Sequence, residues 1–134
     1  MPRPSADRFD AAFYRRHYFN PRTRVVTRRD MERRAEFVAA FARHARLRVR
    51  RILDAGCGLG LMRESLLGAL PGARYVGLEA SAWVSERYGW VHGSVATYRA
   101  AHPYDLVVCY DVLQYLDDRS AAAAIANLAR LCRG

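Results

Sequence analysis

The sequence predicts an α/β fold built on a parallel sheet, and three observations carry that expectation. From residue 50 to the end, short apolar runs alternate with segments of helical spacing. The first run, ILDA, leads into Gly56, Gly58 and Gly60, three glycines at alternate positions before a helix-spaced stretch. Glycine there points to backbone that must turn sharply or approach a ligand closely. The second run, RYVGLEA, ends on an acid, Glu79, at the end of a strand where open α/β sheets bind ligands.

Residues 1–49 read as a basic, aromatic-rich segment with one helix, and residues 50–134 as the sheet domain. FDAAFYRRHYFNPRTRVV is expected to be irregular, with a turn at Asn20-Pro21. A helix follows in TRRDMERRAEFVAAFARHARL. Thr27 with Asp30 three residues later is its start signal, and Met31, Ala35, Val38 and Phe41 share its apolar face. VRRILDA is a first strand, buried and parallel, and LMRESLLGAL a helix stopped by Pro71-Gly72. RYVGLEA is the second strand, SAWVSERYG a short helix opened by Ser81, and WVHGS the third strand. YDLVVC begins the fourth. In SAAAAIANLARLCRG, Ile125, Leu128 and Leu131 mark one face of a closing helix.

Composition narrows the class. A chain of 134 residues that is 51% hydrophobic suffices for one domain with a core. No run reaches the 18 apolar residues of a membrane span, and MPRPSADRFD lacks the apolar centre of a secretory leader, so the expectation is a cytoplasmic protein with no membrane contact. Cys57, Cys109 and Cys132 form no CxxC pair and stand near no histidine at ligand spacing, which reads as reduced thiols and no metal. Residues 1–51 hold 15 arginines against 5 acids, and residues 52–134 hold 7 against 8, so the net charge of +9 belongs to the N-terminal segment. Such a segment attracts phosphates, yet no nucleic-acid motif accompanies it and no lysine occurs anywhere. Nucleic acid is the lesser reading.

The glycine loop spells DxGxGxG, because Leu61 stands where the dinucleotide pattern GxGxxG needs its third glycine. Glu79 follows Gly60 by 19 residues, the placement of an acid that accepts from ribose hydroxyls. With LDAGCGLG as a first motif, YVGLEAS as a second, HGSV as a third and YDLVVCYDVLQYLDD as a fourth, the chain resembles the class I S-adenosylmethionine-dependent methyltransferases over residues 50–134.

The resemblance implies a Rossmann-like sheet with helices on both faces and strands in the order 3-2-1-4. It also implies S-adenosylmethionine as cofactor, S-adenosylhomocysteine as product and a small-molecule acceptor. By that resemblance Asp54 lies near the ammonium of the methionine moiety, and the backbone at Gly56, Cys57, Gly58 and Gly60 lets that moiety pass. Glu79 binds the ribose, and Ala80 and Ser81 flank the adenosine. Ser94 and Val95 carry the third motif, Ser94 replacing the acid that often holds the adenine amino group. Tyr110 and Asp111 follow the fourth strand and face the sulfonium. Alternatives stay open beside these roles: Cys57 as a small filler, Trp83 as an adenine cover or a core aromatic, Asp111 as a helix cap. If an acceptor needs deprotonation, Tyr14, His17, Tyr18 and Asp111 are the candidates, the first three if the N-terminal segment closes as a lid and unless they only pack it down. Tyr115 stands where related sequences often show histidine.

The fold resembled has seven strands in the order 3-2-1-4-5-7-6, whereas this sequence provides four. The expectation is a fragment, or a sheet whose fourth-strand edge is completed by another chain. A homodimer through that edge or the final helix is one form of it. Two further readings remain: a binding module without turnover and a nucleic-acid methyltransferase.

Overall fold

The computed structural model describes residues 8–133, so the expectation about a leader, in so far as it concerns residues 1–7, lies outside them. Helix α1 (Ala11–Tyr14) runs into a π-helical turn, Arg15–Phe19, and α2 spans Arg28–His44. Then come β1 (Arg51–Ala55), α3 (Arg63–Ala69), β2 (Arg74–Glu79), α4 (Ala82–Tyr88) and β3 (Val91–His92). Strand β4 (Leu106–Val108), a 3-10 turn at Leu113–Tyr115 and α5 (Asp118–Leu131) complete the order.

The four strands are parallel, as the alternation of runs predicts, and lie in the order β3-β2-β1-β4 that the resemblance implies. Ile52 of β1 stands between Tyr75 and Leu106, and Leu53 between Val76 and Val107. Helices cover both faces, so β1 is buried without alternation from Ile52 to Ala55. Ile52 packs on one side with Ala35, Ala39, Ala42 and Leu66 of α2 and α3. Leu53 and Ala55 pack on the other with Leu78, Val95, Ala124 and Leu131.

Three expectations change. The stretch read as irregular is helical over residues 11–19: Asp10 caps α1 by accepting from the Phe13 amide at 2.9 Å. Phe13 with His17 and Tyr14 with Tyr18, each four apart, form the stripe that holds this segment down. On α2 the Thr27–Asp30 capping box forms, with amide contacts of 3.0 and 3.1 Å, and Met31, Ala35 and Val38 pack on the core as expected, but Ala39 and Ala42 complete that face in place of Phe41. Phe41 is 59% exposed and points with Phe37 toward the open side of β4. On α5 the buried residues are Ala124, Asn127 and Leu131, while Ile125 is exposed.

Beyond α5 the chain returns to β4. The Tyr104 amide donates to the Leu131 carbonyl at 2.8 Å, the Arg133 amide donates to the Tyr104 carbonyl at 2.7 Å, and Cys132 bridges Tyr104 in parallel. Leu66→Ala, which empties a fully buried site, is expected to lower unfolding free energy by about 3 kcal/mol. Phe37→Ala, at a largely exposed position, is expected to change it by less than about 0.5 kcal/mol. Urea unfolding followed by circular dichroism measures both.

Candidate ligand-binding crevice

The carboxyl ends of β1, β2 and β4 open onto one crevice, the position ligands take in open parallel sheets. Its floor is the loop after β1, which folds back on β2. The Gly56 and Cys57 amides both donate to the Leu78 carbonyl, at 2.7 and 3.0 Å. One residue on, the Glu79 carboxylate accepts from the Gly58 amide at 2.8 Å through Oε2 and from the Ser81 amide at 3.0 Å through Oε1. A carboxylate oxygen has two acceptor sites, so each oxygen keeps one free, and Glu79 lines the crevice.

The loop glycines answer to different demands. Gly58 lines the crevice in a left-handed conformation (φ +55) with open space where a side chain would stand. Gly60, also left-handed, could carry no side chain because a Cβ would lie 2.4 Å from Cζ2 of Trp90. A Cβ on Gly56 would meet Val112.

Among the residues singled out in the sequence, Cys57, Ala80, Ser94, Val95, Tyr110 and Asp111 also line the crevice. Ser94 turns its hydroxyl to the Ala96 amide at 3.2 Å. Asp111 has a left-handed backbone (φ +61) and accepts from the Gln114 side-chain amide. The Arg34 guanidinium lies 4.5 Å over the Tyr110 ring. Asp54 and Ser81 do not line it. Asp54 lies beneath the loop, 4% exposed, accepting from the Tyr75 hydroxyl at 2.6 Å. Ser81 caps α4 and donates its hydroxyl to the Phe9 carbonyl.

Residues 9–18 lie over the opening. Phe9, Phe13, Tyr14 and Tyr18 line the crevice, whereas His17 packs 4.6 Å from the Phe13 ring and does not. Tyr14 is buried between the rings of Tyr18 and Trp83, at 5.0 and 5.9 Å, and Phe9 meets Tyr115 at 5.2 Å. Trp83 thus packs under this segment. Burial holds the Tyr14 phenol far above its usual range and pushes Tyr18 up to about 12, with acidic neighbours adding to both. Burial likewise raises the Cys57 thiol, which stays neutral. Desolvation lifts the Asp54 carboxyl to about 6 against the opposing Tyr75 hydrogen bond, and the Glu79 charge adds to the rise.

Sequence reasoning passed over Phe9, Phe13 and Asn127. The first two were legible in the four-residue spacing of the aromatic stripe. Asn127, a polar residue on an apolar helix face, donates to the Val95 and Tyr98 carbonyls at 3.0 Å and ties α5 to the crevice wall. Among the described residues no three His, Cys, Asp or Glu side chains gather to hold a metal.

A glycine loop after β1 facing an acid at the end of β2 defines an α/β domain of the nucleoside-cofactor type. The family profile described as a methyltransferase domain matches residues 53–134, and the chain belongs to that family. It is 31% identical over 102 residues to the ubiquinone biosynthesis O-methyltransferase of Aromatoleum aromaticum, covering 66% of this chain and 43% of that one. The enzyme of the same name from Hahella chejuensis is 33% identical over 97 residues, covering 63% and 39%. Among solved structures, S-adenosylmethionine-bound CalS10, an amino pentose methyltransferase from Micromonospora echinaspora, superposes with a TM-score of 0.64 at 28% identity over 77% of this chain and 47% of that one. Magnesium protoporphyrin IX methyltransferase from Synechocystis PCC 6803 shares the fold, with a TM-score of 0.66 at 23% identity over 92% and 67%. The chain spans less than half the length of these curated relatives.

In the folded chain the Asp54 carboxyl holds its proton to about pH 6, against 3.8 for an unperturbed aspartate. Its contribution to stability is complete below the lower value and is lost as pH rises through the higher, a difference of about 3 kcal/mol. Asp54→Asn is expected to flatten the pH dependence of unfolding free energy between about pH 3.5 and 6.5, measured by urea titration at each pH.

Proposed function

We propose that this chain binds S-adenosylmethionine in the crevice and presents its methyl group to a hydroxyl of a small-molecule acceptor. The observation that carries this is the Glu79 carboxylate, fixed by two backbone amides with an acceptor site left on each oxygen. Two such sites suit the two hydroxyls of a ribose. The lining residues include two acids and no arginine, an electrostatic match for a sulfonium cation.

The residues present fit that cofactor. Gly58 leaves room for a methionine moiety to pass, Ala80 and the Ser81 backbone flank the adenosine side, and Ser94 and Val95 bound the adenine end. Asp54 and Gly60 act from beneath, shaping the loop. When bound, the cofactor supplies an electrophilic methyl group on sulfur, so the protein has chiefly to align the acceptor and exclude water. Phe9, Phe13, Tyr14 and Tyr18 form the water-excluding cover, so the N-terminal segment serves as a lid. Tyr14 and Tyr18 keep their protons at neutral pH and serve as donors. Asp111, at the crevice lip, is the residue that takes the acceptor's proton. The relatives named O-methyltransferases support a hydroxyl acceptor.

Two further readings accompany this one. Three free thiols suit the cytoplasm, and no helix among the described residues is long and apolar enough to cross a membrane. The outer edge of β4 over Leu106–Val108, beside exposed Phe37 and Phe41, pairs the chain with a second copy.

Calorimetry is expected to show S-adenosylmethionine and S-adenosylhomocysteine binding with micromolar affinity, weakened at least about tenfold by Glu79→Ala, and no NAD binding. NAD binding in place of S-adenosylmethionine would sink the proposal. In labelled-methyl transfer to a panel of small hydroxyl compounds, Asp111→Asn is expected to lower the rate about a hundredfold with cofactor affinity retained. Light scattering is expected to give a dimer mass that Val107→Lys shifts toward monomer, and a monomer mass across a tenfold dilution would remove the edge pairing.

A further inference from the structure

We propose that Trp90 is a positioning residue: together with Glu79 it locks both peptide planes around Gly58 and thereby aims the Leu59 amide at the amino-acid end of the bound cofactor. The inference rests on the S-adenosylmethionine reading above and goes beyond it, since Trp90 lies outside the crevice lining and in none of the motifs.

Gly58 is held from two sides. Its amide donates to Glu79 Oε2 at 2.8 Å, and its carbonyl accepts from the Trp90 indole Nε1 at 2.9 Å. A left-handed glycine with open space around it has little intrinsic reason to keep one peptide orientation. The two hydrogen bonds supply that reason. In a trans peptide the N–H points opposite to the C=O, so the bond that draws the Gly58 carbonyl toward the indole turns the Leu59 N–H away from it. Leu59 lines the crevice. Its amide is therefore a fixed donor for the carboxylate of a methionine moiety lying along the loop.

The surroundings are shaped to keep the indole in place. A Cβ on Gly60 would stand 2.4 Å from the ring, and a Cβ on Gly77 of β2 would stand 2.8 Å from it, so glycines on two different elements clear its seat. Tyr75 meets the ring edge-on at 5.9 Å and Tyr88 stacks on it at 6.3 Å. Tyr75 also donates to Asp54, so the brace that seats Trp90 holds the first residue of the loop as well.

The test separates the hydrogen bond from the packing. At position 90 tryptophan is replaced by 3-benzothienylalanine, which keeps the ring shape and lacks the N–H, and in parallel by Trp90→Phe. Calorimetry then compares S-adenosylhomocysteine with 5′-methylthioadenosine, which has the same nucleoside and no amino-acid carboxylate. The expected result is about fivefold weaker S-adenosylhomocysteine binding with methylthioadenosine affinity unchanged, and an unaltered melting temperature for the isosteric variant. Equal weakening of both ligands, or no weakening of either, overturns the positioning role while leaving the cofactor reading intact. Wild-type protein that binds neither ligand overturns the cofactor reading and this inference together.

Discussion

A single carbonyl oxygen, that of Leu78, accepts from the amides of both Gly56 and Cys57, and the site is organised around that fold-back. It sets the glycine loop against the last residue of β2, which brings Gly58 to the Glu79 carboxylate. The register beneath it is fixed by Ala55 opposite Leu78. A slip of one residue would send Glu79 to the opposite face of the sheet, because strand side chains alternate. The pairs Ile52–Tyr75 and Leu53–Val76, each a buried β1 residue beside a partly buried β2 one, resist that slip. Core packing therefore decides where the acid stands, well away from the crevice it serves.

Much of this was legible in the residues. The capping box at Thr27 and the cap at Ser81 follow from short-range chemistry that spacing alone reveals, whereas the strand order was read from the family resemblance. The face of each long helix was legible only in part: Met31, Ala35, Val38, Leu128 and Leu131 pack inward, but Phe41 and Ile125 face outward, and Ala39, Ala42 and Ala124, which weigh little in a hydrophobic pattern, take the buried places. At the site, the glycines and Glu79 were visible, but the sequence could not assign each glycine its cause. Gly60 looks like a ligand-facing residue until Trp90, thirty positions on, is placed against it. Asp54 looks like a ligand contact until Tyr75 is found holding it under the loop. Both partners come from distant positions, which spacing cannot see.

Charge is distributed in two layers. Among the described residues most arginines of the first 51 positions are exposed; Arg28 meets Glu64 with both side chains well exposed, while Arg34 lies over the Tyr110 ring. Inside, Asp54 and Glu79 lie close enough that each acid figures among the causes raising the Cys57 thiol, and neither accepts from an arginine. Hydroxyl and amide donors, not arginines, hold these carboxylates, so no ion pair cancels their negative potential toward the crevice.

β1 lies at the centre of the sheet, and its partner β4 begins only at Leu106. No two neighbouring strands are joined by a hairpin, so every strand pairing closes a long loop before it gains a contact, a topology that slows folding. During synthesis β1, α3, β2, α4 and β3 can assemble as a half-sheet before β4 has left the ribosome. One edge of β1 then waits unpaired, and the Leu53 face lacks the cover of Ala124 and Leu131 until β4 and α5 arrive. The nascent chain passes through an interval in which its central strand is open to other polypeptides, and pairing by β4 is what ends it.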